Sequence, residues 1–373
     1  MTGEDLTGPA TGRTVERTVA LASGALGRAL GQPVDLGGSD RSHVLRCSVG
    51  DGVADGTVIV KRFLDGRDGF LRETLGLAAL DRTPDLLAAD HEHGLLVMSD
   101  LGDHPTLADL LLGDDRTAAW AGARTWAHAL GDLSGRSRAA VPELCRRFAA
   151  SGVEPWDATA DLRTGVDRLC EVAAGQGGVD RGAVEAELAA VRDLLDPGDD
   201  HAVVTPSDTC PDNAVLAPDG WQFLDLEGTD VVHAALVAVY AVLPFPTCWC
   251  VYDPPPGLTD ELFAEFTQGL AAHAPQLVAE PAWSRAVAHA CAVYVVLVTG
   301  WLLDGALEGR PSVGPPGRSP SYRQLVASRW RWAALHLRPV MPALSDAFRL
   351  AALWAAETWG VDAESTGYPS FSA

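Results

Sequence analysis

The sequence predicts an α+β protein of two parts, in which a small antiparallel β-sheet carrying a helix precedes a larger, mainly helical part. Three observations predict this class. Short β-like runs occupy residues 33–63 and 85–102 and enclose one helical segment, 69–81. Helical spacing of the apolar residues dominates after Gly102. A second β-rich stretch, 202–226, interrupts these helices, and the regular alternation of strand and helix that a parallel sheet needs is missing.

Composition and charge exclude several classes of protein. The 373 residues are 47% apolar and 21% charged, which is ordinary for a globular protein and excludes a collagen, a coiled coil or a disordered tail. A net charge of −22 repels phosphate backbones and anionic lipids, so we expect no nucleic-acid or membrane partner, whereas cationic ligands remain compatible. The most apolar stretches, 231–252 and 290–303, are predicted to be buried core helices, the second being too short to span a bilayer.

Cysteine usage and the amino-terminal residues indicate a cytoplasmic protein. The seven cysteines are irregularly spaced and form no Cys-x-x-Cys pair, which favours a reducing compartment. The first residues, MTGEDLTGPATGRT, lack the apolar core of a secretory signal. We therefore expect a cytoplasmic location.

The sequence divides into a flexible tail over 1–11, a sheet part over 12–99 and a helical part over 100–373. In the sheet part, a helix over 12–30 is followed by strands and a Gly- and Asp-rich turn at 50–56. The predicted strands are 34–38, 43–49 and 57–63. The predicted helices after Gly102 are 106–112, 117–134, 158–174, 180–195, 232–243, 258–273, 282–305, 320–337 and 341–358. Asp219-Gly220 is predicted to form a tight turn between two short strands.

Lysine is nearly absent from this chain. Of 28 basic residues only Lys61 is a lysine, so it is a candidate for chemistry that arginine cannot perform. Lysine offers a compact ammonium on a flexible stem, whereas arginine offers a wide planar fork. Lys61 lies on the predicted strand TVIVKRF, and Glu73 is the single glutamate of the helix that follows. A buried pair between these two residues would fix the position of the ammonium.

The β-rich stretch carries a second group of polar residues. Asp208 and Asn213 lie five residues apart in a proline-flanked loop, and Asp225 ends the strand that follows. Carboxylate and amide oxygens suit Mg²⁺ better than zinc, and Asp208 could instead accept a proton from a substrate hydroxyl. Together with Lys61 and Glu73 these residues form the parts of a phosphoryl-transfer site.

In order and spacing, these residues resemble the aminoglycoside phosphotransferase / choline kinase superfamily, which has the protein-kinase-like two-lobed fold. VIVK, ending at Lys61, matches the family's third-strand lysine motif, and LRETL, with Glu73, matches the following helix. TPSDTCPDN matches the catalytic loop H-G-D-x-x-x-x-N, and FLDLEG, with Asp225, matches the metal-binding D-x-E. The resemblance covers nearly the whole chain, from residue 15 to the C-terminal helices.

The resemblance implies a mechanism that uses ATP, with GTP as an alternative donor, and Mg²⁺. Lys61 would contact the α- and β-phosphates and Glu73 would orient it. Asn213 and Asp225 would hold Mg²⁺, and Asp208 would accept the proton of the acceptor hydroxyl. These roles place the catalytic loop within residues 203–227 of the helical part.

The resemblance also implies further nucleotide contacts. The loop GGSDRS would bring Ser39 and Ser42 to the phosphates, and LLVMSDLG resembles the hinge between the lobes, where the backbone of Ser99, Asp100 and Leu101 would meet the adenine. One feature departs from the family pattern, and the role of one further residue stays open. Pro206-Ser207 replaces the His-Gly that precedes the catalytic aspartate. Glu227 could assist the metal or substrate, or could equally cap a helix starting near Thr229.

The expected function is an ATP- and Mg²⁺-dependent small-molecule O-phosphotransferase. Its acceptor would be a hydroxyl of an aminoglycoside-like antibiotic, an amino alcohol or a sugar, and the acidic balance favours cationic acceptors. Six acidic residues of the helical part are candidates to bind such a cation. They are Asp253, Asp260, Glu261, Glu265, Asp304 and Glu308. The alternative, motivated by Pro206-Ser207, is a catalytically impaired, nucleotide-binding pseudokinase with a regulatory role.

Overall fold

The sheet part is a five-stranded antiparallel sheet with two helices. The computed structural model describes residues 9–39, 41–50, 56–196, 198–243, 245–315 and 317–372. In chain order the first elements are α1 (Pro9–Leu26), β1 (Leu30–Ser39), β2 (Ser42–Val49), β3 (Thr57–Phe63), α2 (Asp68–Ala79), β4 (Leu86–Asp90) and β5 (Leu95–Ser99). The strand order β1-β2-β3-β5-β4 places β3 at the centre of the sheet.

The predicted α+β class is confirmed, and differences occur at the boundaries. The strand predicted over 57–63 is β3, whereas α1 begins at Pro9 and ends at Leu26, earlier than predicted. Of the predicted tail and turn, residues 1–8 and 51–55 lie outside the described residues. β1 is longer than predicted because two register irregularities interrupt its pairing with β2 and hide its period in the sequence.

Alternation along β3 gives its residues two different environments. Val58 and Val60 are buried in a small apolar core with Ala22 of α1. Lys61 belongs to the opposite side of the strand, because successive side chains point to opposite faces of a sheet. It is also buried, but it faces α2 and the cleft beneath the sheet. The central strand therefore carries the one lysine of the chain to the inner face of the sheet part.

The helical part surrounds two short strand pairs. Its helices are α3 (Leu107–Leu112), α4 (Arg116–Ser137), α5 (Val141–Ser151), α6 (Thr159–Ala173), α7 (Arg181–Ala189), α8 (Arg192–Leu195), α9 (Gly198–His201), α10 (Ala234–Val242), α11 (Leu258–Ala271), α12 (Ala282–Leu307), α13 (Tyr322–His336) and α14 (Pro342–Trp359). The antiparallel pairs are β6 (Ala202–Thr205) with β9 (Asp230–His233), and β7 (Ala214–Ala217) with β8 (Gly220–Phe223). The β7–β8 turn lies at residues 218–219, one position before the predicted turn.

The apolar stretch 290–303 lies within α12, which begins at the predicted residue 282 and ends two residues after the predicted end at 305. Among the described helices, α12 alone is long and apolar enough to cross a bilayer by length and composition, with 26 residues. Its apolar window is mostly buried, and the helix packs against α6, α10 and α13. A core helix of a globular protein passes the same length test.

Cys210 and Cys248 form a disulfide that the cysteine spacing did not indicate. Their Cα atoms are 5.6 Å apart although 38 residues separate them in sequence. The bond joins the loop after β6 to the segment after α10. The other five cysteines form no disulfide within the described residues. The contact depends on the tertiary structure, so the spacing of the cysteines in the sequence could not indicate it. The cytoplasmic location stays a prediction.

Candidate active site

Lys61 lies at the centre of a cluster of carboxylates. Its Nζ lies 2.6 Å from Oε2 of Glu73 and 2.5 Å from Oδ1 of Asp225, and Oε2 of Glu227 is 3.4 Å away. The Lys61 and Glu73 side chains are almost completely buried, whereas the Asp225 side chain is 40% exposed. The structure therefore brings together a strand, a helix and a loop that are far apart in sequence.

Charge pairing keeps the ammonium protonated. Burial alone would lower the pKa of Lys61, but the nearby carboxylates of Glu73 and Asp225 outweigh burial and raise that pKa above its ordinary value. Burial raises the pKa of Glu73, against the opposing effect of Lys61. A buried, permanently charged lysine held by an acidic partner is suited to bind the phosphates of a nucleotide.

The loop between β6 and β7 is held by its own backbone and by Asn213. The Nδ2 group of Asn213 donates a hydrogen bond to the backbone oxygen of Asp208 at 3.2 Å. The backbone N–H of Leu224 donates to the carbonyl of Asn213 at 2.8 Å, one residue before Asp225. Asn213 thus links the loop of Asp208 to the turn of Asp225, as a site that uses all three residues requires.

Asp208 lies in a cavity beside this cluster. The side chain of Asp208 is exposed within the cavity, but the surrounding walls limit its hydration. This limited hydration, together with the nearby carboxylates of Asp212 and Asp225, raises the pKa of Asp208 to about 7. Solvent in the open cavity screens part of the effect. The direction suits a group that accepts a proton near neutral pH.

Two cavities adjoin at this place. The first, the nucleotide cleft, has a volume of 560 Å³ and lies between the sheet and the helical part, with Lys61, Asn213 and Asp225 among its lining residues. The second, the acceptor cavity, has a volume of 390 Å³ and contains Asp208. Glu227 lines both cavities. A group bound in the cleft can therefore meet a group bound beside Asp208.

The hinge and loop residues line the nucleotide cleft, but two predicted side chains have other partners. Residues 99–102, which include the three predicted hinge residues, line the cleft, and their contact with an adenine stays a prediction. The Asp100 carboxylate accepts hydrogen bonds from Thr57, Arg46 and the N–H of residue 102. The Ser99 hydroxyl accepts from the N–H of Asp85.

The two serines predicted to contact phosphate flank the turn between β1 and β2. Ser42 is buried, begins β2 and lines the cleft. Ser39 ends β1, and its side chain lies outside the described part of the structure. The structure thus places one of these side chains where the sequence predicted it.

Glu227 is not a helix cap. It lies in the 3₁₀ turn Leu226–Gly228, and β9 rather than a helix begins at Asp230. Its carboxylate binds the guanidinium of Arg41 at 2.9 Å and lies beside Lys61. The capping interpretation was wrong because a short strand, β9, precedes helix α10.

The predicted acidic acceptor residues do not line the acceptor cavity. Five of them bind elsewhere: Asp253 to Ser328 and Ser365, Glu261 and Glu265 to Arg124, Asp304 to Arg168 and Glu308 to Arg310. The sixth, Asp260, lies in the first turn of α11. The cavity has instead four aromatic residues and three carboxylates besides that of Asp208. They are Trp156, Tyr240, Tyr294, Trp301, Asp68, Glu227 and Asp230. Sequence reasoning missed most of them because they are scattered along the chain without a shared pattern.

The donor set of the cleft fits the magnesium ion that the family resemblance implies. Glu73, Asp225 and Glu227 bring three carboxylate oxygens within 4.8 Å of one another, and Asn213 lines the same cleft. Oxygen donors of this kind are what Mg²⁺ prefers, and it usually takes only one or two carboxylates besides phosphate oxygens. Asn213 and Asp225 would hold the ion.

Fold and site together define a protein with the two-lobed architecture of kinases. No protein-family model matches the chain, and no curated protein matches its sequence. Solved structures are similar over most of the chain. A choline kinase from Streptococcus pneumoniae is 14% identical with a TM-score of 0.49, covering 89% of this chain and 99% of that one.

Two further structures overlap to a similar extent. A choline/ethanolamine kinase family protein from Mesorhizobium loti is 16% identical with a TM-score of 0.47, covering 92% of this chain and 99% of that one. An amicoumacin kinase is 13% identical with a TM-score of 0.48, covering 90% and 96% of the two chains. All three TM-scores lie below 0.5, so the architecture rests on the sheet order, the two parts and the site themselves.

Proposed function

We propose that this protein is a small-molecule kinase, a divergent member of the aminoglycoside phosphotransferase / choline kinase superfamily. It would transfer the terminal phosphoryl group of ATP, or of GTP, to a hydroxyl of its acceptor. One observation carries the proposal: the nucleotide cleft, with Lys61, Asn213 and Asp225, adjoins the acceptor cavity with Asp208. A donor and an acceptor bound in these cavities would meet at their common border.

The nucleotide cleft offers an environment suited to each portion of a nucleotide. The apolar side chains of Ile59 and Met98, register partners on β3 and β5, line the cleft beside the hinge residues 99–102, where a flat base would bind. Lys61 and the carboxylates lie at the other end, where phosphates would bind. This separation of apolar and charged walls supports a nucleoside triphosphate as the donor.

The acceptor cavity favours a cationic molecule with a hydroxyl group. Its aromatic residues offer ring faces that attract cations, and four carboxylates lie in its wall against one guanidinium, that of Arg72. At 390 Å³ the cavity suits a small acceptor such as an amino alcohol or an aminosugar. An anionic acceptor would be repelled by the same carboxylates.

Each residue would contribute a defined step. Lys61, oriented by Glu73, would bind the α- and β-phosphates. Mg²⁺, when bound, would neutralise charge on the transferred group. Asp208, with its raised pKa, would accept the proton of the acceptor hydroxyl as the new O–P bond forms.

The test is acceptor-dependent release of ADP from MgATP across a panel of amino alcohols, aminoglycosides and neutral sugars. We expect Asp208→Asn to reduce turnover by about 10²–10⁴-fold, because a positioned base contributes roughly that much, while MgATP affinity stays within a few-fold. Asp219→Asn is the matched control, since it makes the same change in the exposed β7–β8 turn. Turnover of Asp208→Asn equal to that of the wild type would contradict the assignment, and MgATP binding without any acceptor-dependent turnover would favour the pseudokinase.

A further inference from the structure

Arg41 is a cation of the nucleotide cleft that connects the sheet part to the helical part near the surface of the protein. It lies in the turn between β1 and β2, and its backbone oxygen accepts a hydrogen bond from the N–H of Leu64 at 2.7 Å. Its guanidinium crosses to the helical part and binds Glu227 at 2.9 Å. Its backbone is anchored to the sheet, whereas its side chain is 64% exposed and spans to the opposite wall.

The charges that line the cleft make this cation important for a nucleotide. Among the described residues that line the cleft, the cations are Arg41, Arg46 and Lys61, and the carboxylates are Glu73, Asp100, Asp212, Asp225 and Glu227. Without a ligand the lining is therefore acidic. A triphosphate adds several further negative charges, so cations must be redirected toward it when it binds.

Arg46 is committed to a structural role. Its guanidinium binds Asp100 at 2.6 Å and Asp103 at 2.7 Å, and the Asp100 side chain is only 6% exposed. Removing Arg46 from these partners would leave a buried carboxylate without its counterion, which is costly. Lys61 is buried deep in the cleft. Arg41 is the lining cation whose pair can exchange at the lowest cost, because its own side chain is 64% exposed and Glu227 keeps Lys61 beside it at 3.4 Å when Arg41 leaves.

The position of Glu227 determines where the Arg41 guanidinium lies. Glu227 lines both cavities, and the guanidinium of Arg41, which lines the nucleotide cleft, is held 2.9 Å from its carboxylate. An arginine fork binds two oxygens of a phosphoryl group at once, which is stronger than a single exposed pair with a carboxylate. The terminal phosphate of a triphosphate is therefore a better partner than Glu227.

We propose, resting on the proposed function, that Arg41 is a nucleotide-binding residue which leaves Glu227 and binds the terminal phosphate of the triphosphate donor. Arg41 then distinguishes a triphosphate from a diphosphate, because only the former carries the group that it contacts. In the free protein Glu227 holds the guanidinium close to that position.

The test compares the dissociation constants of MgATP and MgADP for the wild type, Arg41→Ala and Arg41→Lys. We expect Arg41→Ala to weaken MgATP binding by about tenfold or more and MgADP binding by less than about twofold, since a charge-assisted bidentate contact is lost only with ATP. Arg41→Lys, which keeps the charge but not the fork, should fall between. Arg62→Ala is the control. Arg62 follows Lys61 on β3 and binds Thr18 of α1, so this substitution also removes one positive charge but does so outside the lining of the cleft.

Equal weakening of both nucleotides by Arg41→Ala, or no weakening of either, would overturn the inference. These results are distinct from failure of the proposed function. A wild type that discriminates the two nucleotides through Arg41 but transfers no phosphoryl group supports the inference and overturns the function. If the wild type shows acceptor-dependent turnover and the Arg41→Ala variant still prefers MgATP over MgADP, the proposed function is supported and the inference about Arg41 is overturned.

Discussion

Two residues of the candidate site have left-handed backbone conformations that side chains rarely adopt. Ser207 has a φ of +75° and Asp225 a φ of +57°. Such a conformation costs about 1–2 kcal/mol for a residue with a side chain, and residues of this kind cluster at functional sites. At the position where the resembled family has glycine, Ser207 thus keeps a conformation that glycine favours. The Pro206-Ser207 departure therefore does not by itself disrupt this loop.

Strain at Ser207 can be measured by comparing two variants. Both Ser207→Gly and Ser207→Ala remove the hydroxyl, but only glycine adopts a φ of +75° without a steric penalty. We expect Ser207→Gly to be more stable than Ser207→Ala by about 1 kcal/mol in urea unfolding at neutral pH. Equal stability of the two variants would mean that the loop relaxes when the side chain changes.

A buried histidine predicts how stability depends on pH. His233 accepts a hydrogen bond from the N–H of Ala235 through Nδ1 at 3.0 Å, and its ring stacks on that of His201. Burial first, and His201 second, lower the pKa of His233 to about 4. The folded protein binds this proton less readily than the unfolded chain, so the stabilising effect is complete above about pH 6.5 and is lost as the pH falls toward 4.

We expect this histidine to account for about 2 kcal/mol of the stability lost between pH 7 and pH 5. His233→Asn keeps a side chain that can cap α10 but does not titrate, so its unfolding free energy should fall less over the same range. The measurement is urea unfolding of both proteins at the two pH values. Identical pH slopes would show that the unfolded and folded states protonate His233 alike.

At the scale of elements, the packing of α2 against the turn 226–228 positions the site. A Cβ at Gly76 would lie 2.2 Å from Oγ1 of Thr229, which is fully buried and itself donates to the carbonyl of Leu226. Glycine is needed here for close approach. The distance between the helix of Glu73 and the turn that follows Asp225 therefore depends on this contact.

We expect Gly76→Ala to destabilise the protein by about 1–2 kcal/mol, because overpacking outweighs the gain in helix propensity. Since the helix must move away from the turn, MgATP affinity should fall as well. Gly24→Ala in α1 is the matched control, because no atom lies within 4 Å of its Cβ position and the change should be neutral or stabilising. Thermal unfolding of both variants, with and without MgATP, tests the prediction; unchanged midpoints for Gly76→Ala would contradict it.

Elements with a clear local pattern could be predicted, and those that depend on long-range pairing could not. The alternation in β3 and the single Glu73 of the next helix placed the Lys61 pair correctly. The four-residue strands β6 and β9 pair with each other across the loop of Asp208, and neither has enough residues to show a period. Because β9 was not recognised in the sequence, a helix starting near Thr229 stood as one of the two interpretations of Glu227.

The same limit applies to the acceptor cavity, at the scale of the whole molecule. Its walls combine Asp68 of α2, Trp156 of a loop, Asp230 of β9 and Tyr294 and Trp301 of α12. These four separate places in the chain contribute one or two of the named residues each, so no motif in the sequence could reveal the set. The residues of the nucleotide cleft that the sequence singled out, such as Lys61 and Asp225, lie instead in short contiguous motifs.

The disulfide is a further whole-molecule feature with a measurable effect. It joins the loop of Asp208, at Cys210, to the segment after α10, at Cys248. A cross-link over this separation stabilises a protein by about 2–4 kcal/mol, so reduction by dithiothreitol should lower the melting midpoint of the wild type but not that of Cys248→Ser. Cys250→Ser is the control, since Cys250 is a free, buried cysteine and its loss should leave the response to reduction intact. Titration of all seven thiols in the unfolded, unreduced protein would exclude the bond.

A protein with one lysine has one side-chain amine that a reagent can modify. That amine belongs to Lys61, whose side chain is only 7% exposed and is held between Glu73 and Asp225. Acylating reagents that modify many positions in an ordinary protein would here report on a single atom, its Nζ, apart from the amino terminus. The rate at which the intact chain gains mass at Lys61 then reports how often this ammonium leaves its carboxylates. Protection of Lys61 by a nucleotide can be followed in the same way, without labels or substitutions.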